Sequence, residues 1–129
     1  MTMFPNTSNL YTQISTALTD YKKENTEFND AIIKDVLIVG SVAHNNFKRG
    51  ESDLDLVVIL ENSPYKPIVM GFDTYLRESK YQSILLRDSG MPISEVDVGV
   101  YAGKDYKNYI EDDKVYSIKY ESMMDLEQI

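Results

Sequence analysis

The segment from Asp53 to Leu60, DLDLVVIL, constrains the fold more than any other part of the sequence. It begins as an alternation of acid and leucine and ends as an apolar run rich in β-branched residues, which is typical of a buried strand. Lys34 to Val39 and Glu95 to Tyr101 have the same character and predict two further strands. Helical segments alternate with these strands, so we predict an α/β (α+β) fold, a small mixed β-sheet flanked by helices.

Apolar residues at helical spacing precede and separate the predicted strands. A first helix is predicted from about Leu10, with Ser8 or Asn9 as its N-cap. A second helical segment runs from Pro67 to Leu85, with a break near Ser79. We expect these helices to cover the sheet.

The chain beyond Gly103 predicts shorter elements. A short helix is predicted around Asp105 to Glu111, followed by an extended segment from Val115 to Tyr120. The closing residues, ESMMDLEQI, are interpreted as either a short helix or a frayed tail. We expect residues 1–129 to form a single domain with its core at about 34–101.

Composition and charge exclude several classes of function. The chain has no apolar run long enough for a membrane span, no signal-peptide pattern and no cysteine, which favours a cytoplasmic protein. Its 21 acidic and 13 basic residues give a net charge of −8. Because an acidic surface repels a phosphate backbone, broad nucleic-acid binding is disfavoured.

Asp53 and Asp55 are two residues apart on a predicted strand, so both carboxylates project to the same face. Two like charges held close together are unfavourable unless a cation neutralises them, and paired carboxylates select Mg²⁺ or Mn²⁺. The alternative interpretation is structural: Asp53 caps a loop and Asp55 faces solvent on an edge strand.

Asp97 favours the metal-binding interpretation. It lies between Val96 and Val98, where a lone buried carboxylate would be costly. If its strand lies beside the Asp53 strand, three carboxylates converge, which is the arrangement that two-metal nucleotidyl transfer requires. Asp97 would then help to deprotonate an acceptor hydroxyl, either directly or by binding the ion that does so.

Gly40 and Ser41 follow the first predicted strand and precede a short helical turn from Val42 to Phe47. Glycine permits close backbone approach, and the first amides of a helix have no partner within the helix. We therefore predict a phosphate-binding turn at Gly40 and Ser41. By itself, a Gly-Ser pair before a helix is more often only a turn.

Taken together, these residues resemble the signature of the nucleotidyltransferase fold shared with DNA polymerase β. Val39 to Ser41 matches its apolar-Gly-Ser element, eleven residues intervene, and Asp53 to Leu56 matches its acid–apolar–acid–apolar element. Val96 to Val98 supplies the third acid. The resemblance implies an enzyme that uses ATP or another nucleoside triphosphate, with Mg²⁺ or Mn²⁺ on the three acids.

Within that superfamily the chain is most similar to the minimal nucleotidyltransferases (MNT proteins). These are encoded beside small helical HEPN partners, and several act as antitoxins that transfer AMP from ATP to a tyrosine of the partner. The stretch from Asn108 to Tyr116 also resembles the ending of those proteins. The resemblance thus implies a HEPN-type partner that presents the acceptor hydroxyl.

One departure from the family pattern concerns the phosphate site. MNT proteins often carry Arg-Gly shortly after the Gly-Ser pair, whereas this chain has His44 and Asn45 there. Asparagine tolerates left-handed backbone, which favours survival of the turn. Lys48 and Arg49 are the candidates to replace the missing arginine in binding phosphate, and a solvated loop pair is the alternative interpretation.

Two other functions compete with the enzymatic one. The first is a catalytically inactive antitoxin that acts by binding a toxin partner. The other is a nucleotidyltransferase that modifies a small molecule such as an antibiotic, although those enzymes normally add a helical domain that lines the drug site.

Overall fold

The computed structural model describes residues 4–46, 48, 52–62 and 66–129, with the backbone alone for residues 66–68. The helices within these residues are α1 (Thr7–Glu24), α2 (Gly40–Ala43), α3 (Lys66–Leu76) and α4 (Ser79–Ser89). The strands are β1 (Ile32–Val39), β2 (Leu54–Glu61), β3 (Val96–Ala102), β4 (Lys114–Ser117) and β5 (Ser122–Asp125). Short 3₁₀ turns cover Thr26–Phe28, Asp105–Asn108 and Leu126–Gln128.

The described strands form one mixed sheet in the order β3-β2-β1-β4-β5. β1 runs antiparallel to both β2 and β4, and β4 runs antiparallel to β5. β2 and β3 are parallel, and α3 and α4 lie between them in sequence, as expected for a connection that crosses from one parallel strand to the next. The predicted fold, a small mixed sheet flanked by helices, is confirmed.

One face of the sheet is buried by α1, α3 and α4. Leu56, Val58 and Leu60 of β2 belong to this core, together with Ile14 of α1 and Phe72 of α3. The helices meet the sheet through apolar side chains at helical spacing, as predicted. No helix within the described ranges combines the length and apolar character that crossing a membrane requires.

The opposite face carries a smaller core, formed by Leu37, Val57, Ile59, Tyr106 and Val115. Side chains alternate along a strand, so the odd-numbered residues of β2 share this face, including the acidic residue at position 55. The segment that follows β3 covers part of this face through Tyr106. Asp55 and Asp97 lie at the end of the sheet where β2 and β3 begin.

Two helix boundaries differ from the prediction. α1 begins at Thr7, and its N-cap is Asn6, whose side-chain oxygen accepts a hydrogen bond from Asn9 N at 3.0 Å. The predicted caps Ser8 and Asn9 are therefore wrong, because the helix begins earlier and both residues lie inside it. The predicted break near Ser79 is confirmed: α4 begins at that residue.

The end of the chain differs more. Ser122–Asp125 forms β5 on the outer edge of β4, so neither predicted form, a short helix or a frayed tail, occurs there. Glu121 turns the chain back with a positive φ of 52°. The helix predicted around Asp105 is a 3₁₀ turn that ends at Asn108.

A buried carboxylate, Asp35, fixes β4 against β1. It is 2% exposed, and its oxygens accept hydrogen bonds from the Ser117 hydroxyl and from Lys119 N. It follows an irregularity in the β1–β2 register between Ile33 and Asp35. The site-bearing end of β1 is thus held on both sides, by β2 and by β4.

Candidate active site

The parallel register of β2 and β3 places Asp55 directly opposite Asp97. On its other side Asp55 is opposite Val39, the last residue of β1. Asp53 lies just before β2, and the Ser94 hydroxyl donates a hydrogen bond to its Oδ1 at 3.1 Å. The three predicted acids therefore lie at the same end of the sheet, on neighbouring strands.

In this arrangement the pKa of the Asp55 carboxyl is raised to about 6. The largest cause is burial, which penalises the charged form of the carboxylate. Nearby negative charges raise the pKa further, in decreasing order Asp97, Asp53, Asp112 and Glu95. A group with this environment favours the binding of a proton or a metal cation.

Position 40 of the site requires glycine. Its φ is +75°, and a Cβ added there would lie 2.7 Å from Asp55 Oδ2. Both the backbone conformation and the close approach of the carboxylate therefore require glycine. The Gly-Ser turn predicted from the sequence lies against the predicted acids.

The backbone amide of Gly40 already has a partner. It donates a hydrogen bond to Asp112 Oδ2 at 3.0 Å, and His44 Nε2 lies 3.7 Å from that same oxygen. We predicted a phosphate group on this turn, whereas the structure holds a carboxylate at its first amide. Asp112 was missed in the sequence, where its only signal is membership of an acidic run, Glu111 to Asp113.

The turn after Gly40 keeps its shape without the family's arginine. α2 spans Gly40–Ala43, shorter than the turn predicted to reach Phe47, which lies outside the described residues. Asn45 has a φ of +61°, the left-handed conformation expected of asparagine there. Asn46 N donates to Ser41 O at 2.8 Å and closes the turn.

Arg77 is a cation in the site that the sequence did not reveal. Its Nε donates to Asp73 Oδ1 at 2.6 Å, and its Nη1 lies 3.4 Å from Asp97 Oδ1. The contact is long-range in sequence, so no local pattern signals it. Asp97 itself is 54% exposed because β3 is an edge strand, so the expectation of a buried carboxylate there was wrong.

Of the two basic residues proposed for phosphate binding, the structure describes Lys48. Lys48 is exposed in the loop before β2, where its backbone amide donates to Ser52 Oγ at 2.6 Å. It is not among the described residues that line the cleft beside Asp55. Arg49 lies outside the described residues.

A cleft of about 390 Å³ connects these groups. Gly40, Asp55, Asp97, Arg77 and Asp112 line one part of it, and aromatic residues line another. The aromatic part is a stacked pair, Tyr101 and Tyr109, with ring centroids 5.0 Å apart. The cleft thus combines anionic, cationic and aromatic walls.

Tyr101 projects back along its own strand. A Cβ added at Gly99 would lie 3.0 Å from Tyr101 Cε2 and 3.1 Å from its hydroxyl oxygen. Burial raises the pKa of Tyr101, as do the charges of Asp73 and Asp97, while Arg77 lowers it. The phenol is therefore within electrostatic reach of the acids and the arginine.

The donor set fits a hard divalent cation in its chemistry, because it offers carboxylate oxygens on two adjacent strands beside a glycine. The side chains are not gathered as metal ligands: within the described ranges, no three His, Cys, Asp or Glu side chains are positioned to hold a metal ion. Asp97 Oδ1 forms an ion pair with Arg77 instead.

Residues 18–123 match the family model described as a nucleotidyltransferase domain. The matched range contains Gly40 and the acids at positions 53, 55 and 97. No curated protein matches the chain, and no solved structure matches it.

Replacing Gly40 by alanine tests the contact with Asp55, and Gly90→Ala is the matched control. Both glycines have positive φ, +75° and +68°, so each substitution incurs a left-handed strain of about 1–2 kcal/mol. Around a Cβ at Gly90 there is nothing within 4 Å. We expect Gly40→Ala to lower the free energy of unfolding by about 1 kcal/mol more than Gly90→Ala, measured by urea denaturation. Equal losses would show that the carboxylate does not restrict residue 40.

The raised pKa of Asp55 predicts how stability depends on pH without metal. Between the unfolded value of 3.8 and the folded value of about 6, the folded state binds more protons than the unfolded state. The free energy of unfolding should therefore fall as pH rises through this window and level off above it. Asp55→Asn removes this fall, so it should melt at a higher temperature than wild type at pH 7.5, with a smaller difference at pH 4.

The control for this pH dependence is Asp30→Asn, which removes one negative charge from an exposed position. Thermal melting in EDTA at a series of pH values measures all three chains. If Asp30→Asn stabilises the protein at pH 7.5 as much as Asp55→Asn does, net charge rather than crowding at the cleft explains the effect.

Proposed function

Because this chain belongs to the nucleotidyltransferase domain family, we propose that it transfers a nucleoside monophosphate, AMP from ATP, to a hydroxyl acceptor. The observation that carries this proposal is the pairing of Asp55 with Asp97 across β2 and β3, directly beside Gly40. Carboxylates this close on a cleft wall are suited to metal-assisted phosphate chemistry.

In this proposal Asp53, Asp55 and Asp97 hold Mg²⁺ or Mn²⁺. The cation supplies charge neutralisation and Lewis acidity toward the phosphate oxygens. Asp97 would also accept the proton of the acceptor hydroxyl, because its side chain is exposed to the cleft and lies on the edge strand. Ser94 orients Asp53 through its hydroxyl.

The triphosphate is proposed to bind at Gly40 and Ser41. Its oxygens would replace the Asp112 carboxylate on the Gly40 amide, since both are anionic acceptors for the same donor. Lys48 and Arg49, which lie between α2 and β2 in the sequence, are proposed as further phosphate ligands.

The acceptor is proposed to be a tyrosine on a small helical HEPN-type partner, in the cytoplasm. Support comes from the resemblance to the minimal nucleotidyltransferases and from the surface beside the cleft. Met70 and Tyr109 are both 63% exposed, and both border an apolar hollow that adjoins the cleft through Tyr101 and Tyr109. Exposed large apolar side chains beside a reactive site suit a protein substrate.

A non-enzymatic antitoxin is the second candidate. Two contacts favour it. Arg77 forms an ion pair with Asp97, and Asp112 accepts the hydrogen bond of the Gly40 amide. In that case the chain would bind its partner whether or not nucleotide and metal are present, and the acids would be dispensable.

Transfer of labelled AMP separates the two candidates. Wild-type chain, Mg²⁺, ATP labelled at the α-phosphate and a HEPN-type partner should yield labelled partner. Asp55→Asn and Asp97→Asn should each reduce the initial rate by about 100-fold or more, because metal binding and proton removal both depend on them. Asp30→Asn should keep the wild-type rate.

Melting curves of all variants show whether each one folds. Rates retained in both Asp55→Asn and Asp97→Asn would contradict the enzymatic proposal. Unchanged binding of the partner by these variants, with no transfer by wild type, would support the non-enzymatic one.

A further inference from the structure

We propose that Tyr101 is an acceptor within its own active site, so that the chain attaches a nucleoside monophosphate to its own phenol oxygen. This inference rests on the proposed function and adds a modification site to it. The transfer is in cis, because the phenol and the acids belong to the same cleft.

The first support is the path of the Tyr101 side chain. Asp97, Gly99 and Tyr101 alternate along β3 and so project to the same face of the sheet. The ring folds back over Gly99, with its hydroxyl oxygen 3.1 Å from the position of an added Cβ. Residues two apart on a strand are separated by about 7 Å. Because the phenol lies over Gly99, it is separated from Asp97 by about 7 Å along the strand.

The second support is that the chain holds the phenol in this position. Gly99 lacks the side chain that would push the ring away. Tyr109 stacks on the ring at an interplanar angle of 25° and braces it from the opposite wall. An ordered hydroxyl beside the reacting groups needs little reorganisation to attack.

The third support is the set of charges that face the phenol. Arg77 and Asp97 line the same cleft as Tyr101, and Asp73 borders the adjoining hollow with it. A carboxylate is the group that accepts a phenolic proton, and a guanidinium stabilises the charge that develops on phosphate oxygens. These are the groups that an acceptor hydroxyl requires.

The step balances without a further reactant beyond the nucleoside triphosphate. The phenol oxygen of Tyr101 forms a bond to the α-phosphorus while the bond from that phosphorus to the bridging oxygen breaks. Pyrophosphate leaves with the bonding electrons, and the phenolic proton passes to a carboxylate oxygen of Asp97. The product is a phosphodiester between the nucleoside and Tyr101.

Other tyrosines are less suited to this role. Tyr106 donates its hydroxyl proton to Ile129 O at 3.0 Å and is buried. The hydroxyls of Tyr75 and Tyr81 bond to each other at 2.8 Å. Tyr120 is exposed beside the turn between β4 and β5, at the opposite edge of the sheet from Asp97.

The test is to incubate the full chain with ATP and Mn²⁺, without a partner, and to measure intact mass and map the modified peptide. We expect the mass of one nucleoside monophosphate on Tyr101. Tyr101→Phe removes only the attacking oxygen and should lose this label, whereas Tyr120→Phe should keep it. Asp97→Asn should abolish it.

A mixing experiment tests whether the transfer is in cis. An Asp97→Asn chain, which retains Tyr101, is incubated with a Tyr101→Phe chain, which retains the acids. We expect neither chain to be labelled at residue 101. Label on Tyr101 of the Asp97→Asn chain would overturn transfer in cis.

Release of pyrophosphate, followed in parallel with the HEPN-type partner of the transfer assay as external acceptor, distinguishes the possible failures. Labelled partner with an unmodified Tyr101 would overturn this inference and leave the proposed function standing. Label on Tyr109 instead of Tyr101 would also overturn it. No label and no pyrophosphate under either condition would contradict both.

Discussion

Parallel pairing of β2 with β3 sets Asp55 beside Asp97, and the rest of the site is arranged around that pair of carboxylates. The helices α3 and α4 make the parallel pairing possible, because a parallel connection must cross the sheet. β1 ends at Val39, which pairs with Asp55 on its other side. The next residue, Gly40, therefore lies close to the Asp55 carboxylate. A shift of one residue in the register would turn Asp55 or Asp97 toward the helices.

The site balances this negative charge with groups of its own chain. Arg77, the residue after α3, contacts Asp97, and Asp73 of α3 orients Arg77 while accepting a hydrogen bond from Val100 N at 3.4 Å. The Gly40 amide and His44 flank Asp112 in a similar way. Burial, followed by the charges of the neighbouring carboxylates, raises the pKa of Asp55. A divalent cation would relieve the repulsion that these contacts leave.

Sequence patterns predicted the features that depend on neighbouring residues in the chain. The strand around Asp55, the glycine at position 40 and the left-handed Asn45 all follow from short sequence periods or from the preferences of one residue type. Arg77 and Asp112 were missed because each contacts a residue that is distant in the sequence. β5 was missed because its pairing with β4 depends on a turn at Glu121, a residue type that rarely adopts positive φ.

Binding of Mn²⁺ to the metal-free chain, measured by isothermal titration calorimetry at pH 7.5, tests most directly whether the crowded carboxylates form a cation site. Wild type should bind Mn²⁺ with a measurable heat, as should Asp30→Asn, while Asp55→Asn should show no saturable binding. Equal binding by Asp55→Asn and wild type, or no binding by either, would contradict the assignment of the carboxylates beside Gly40 to a divalent cation.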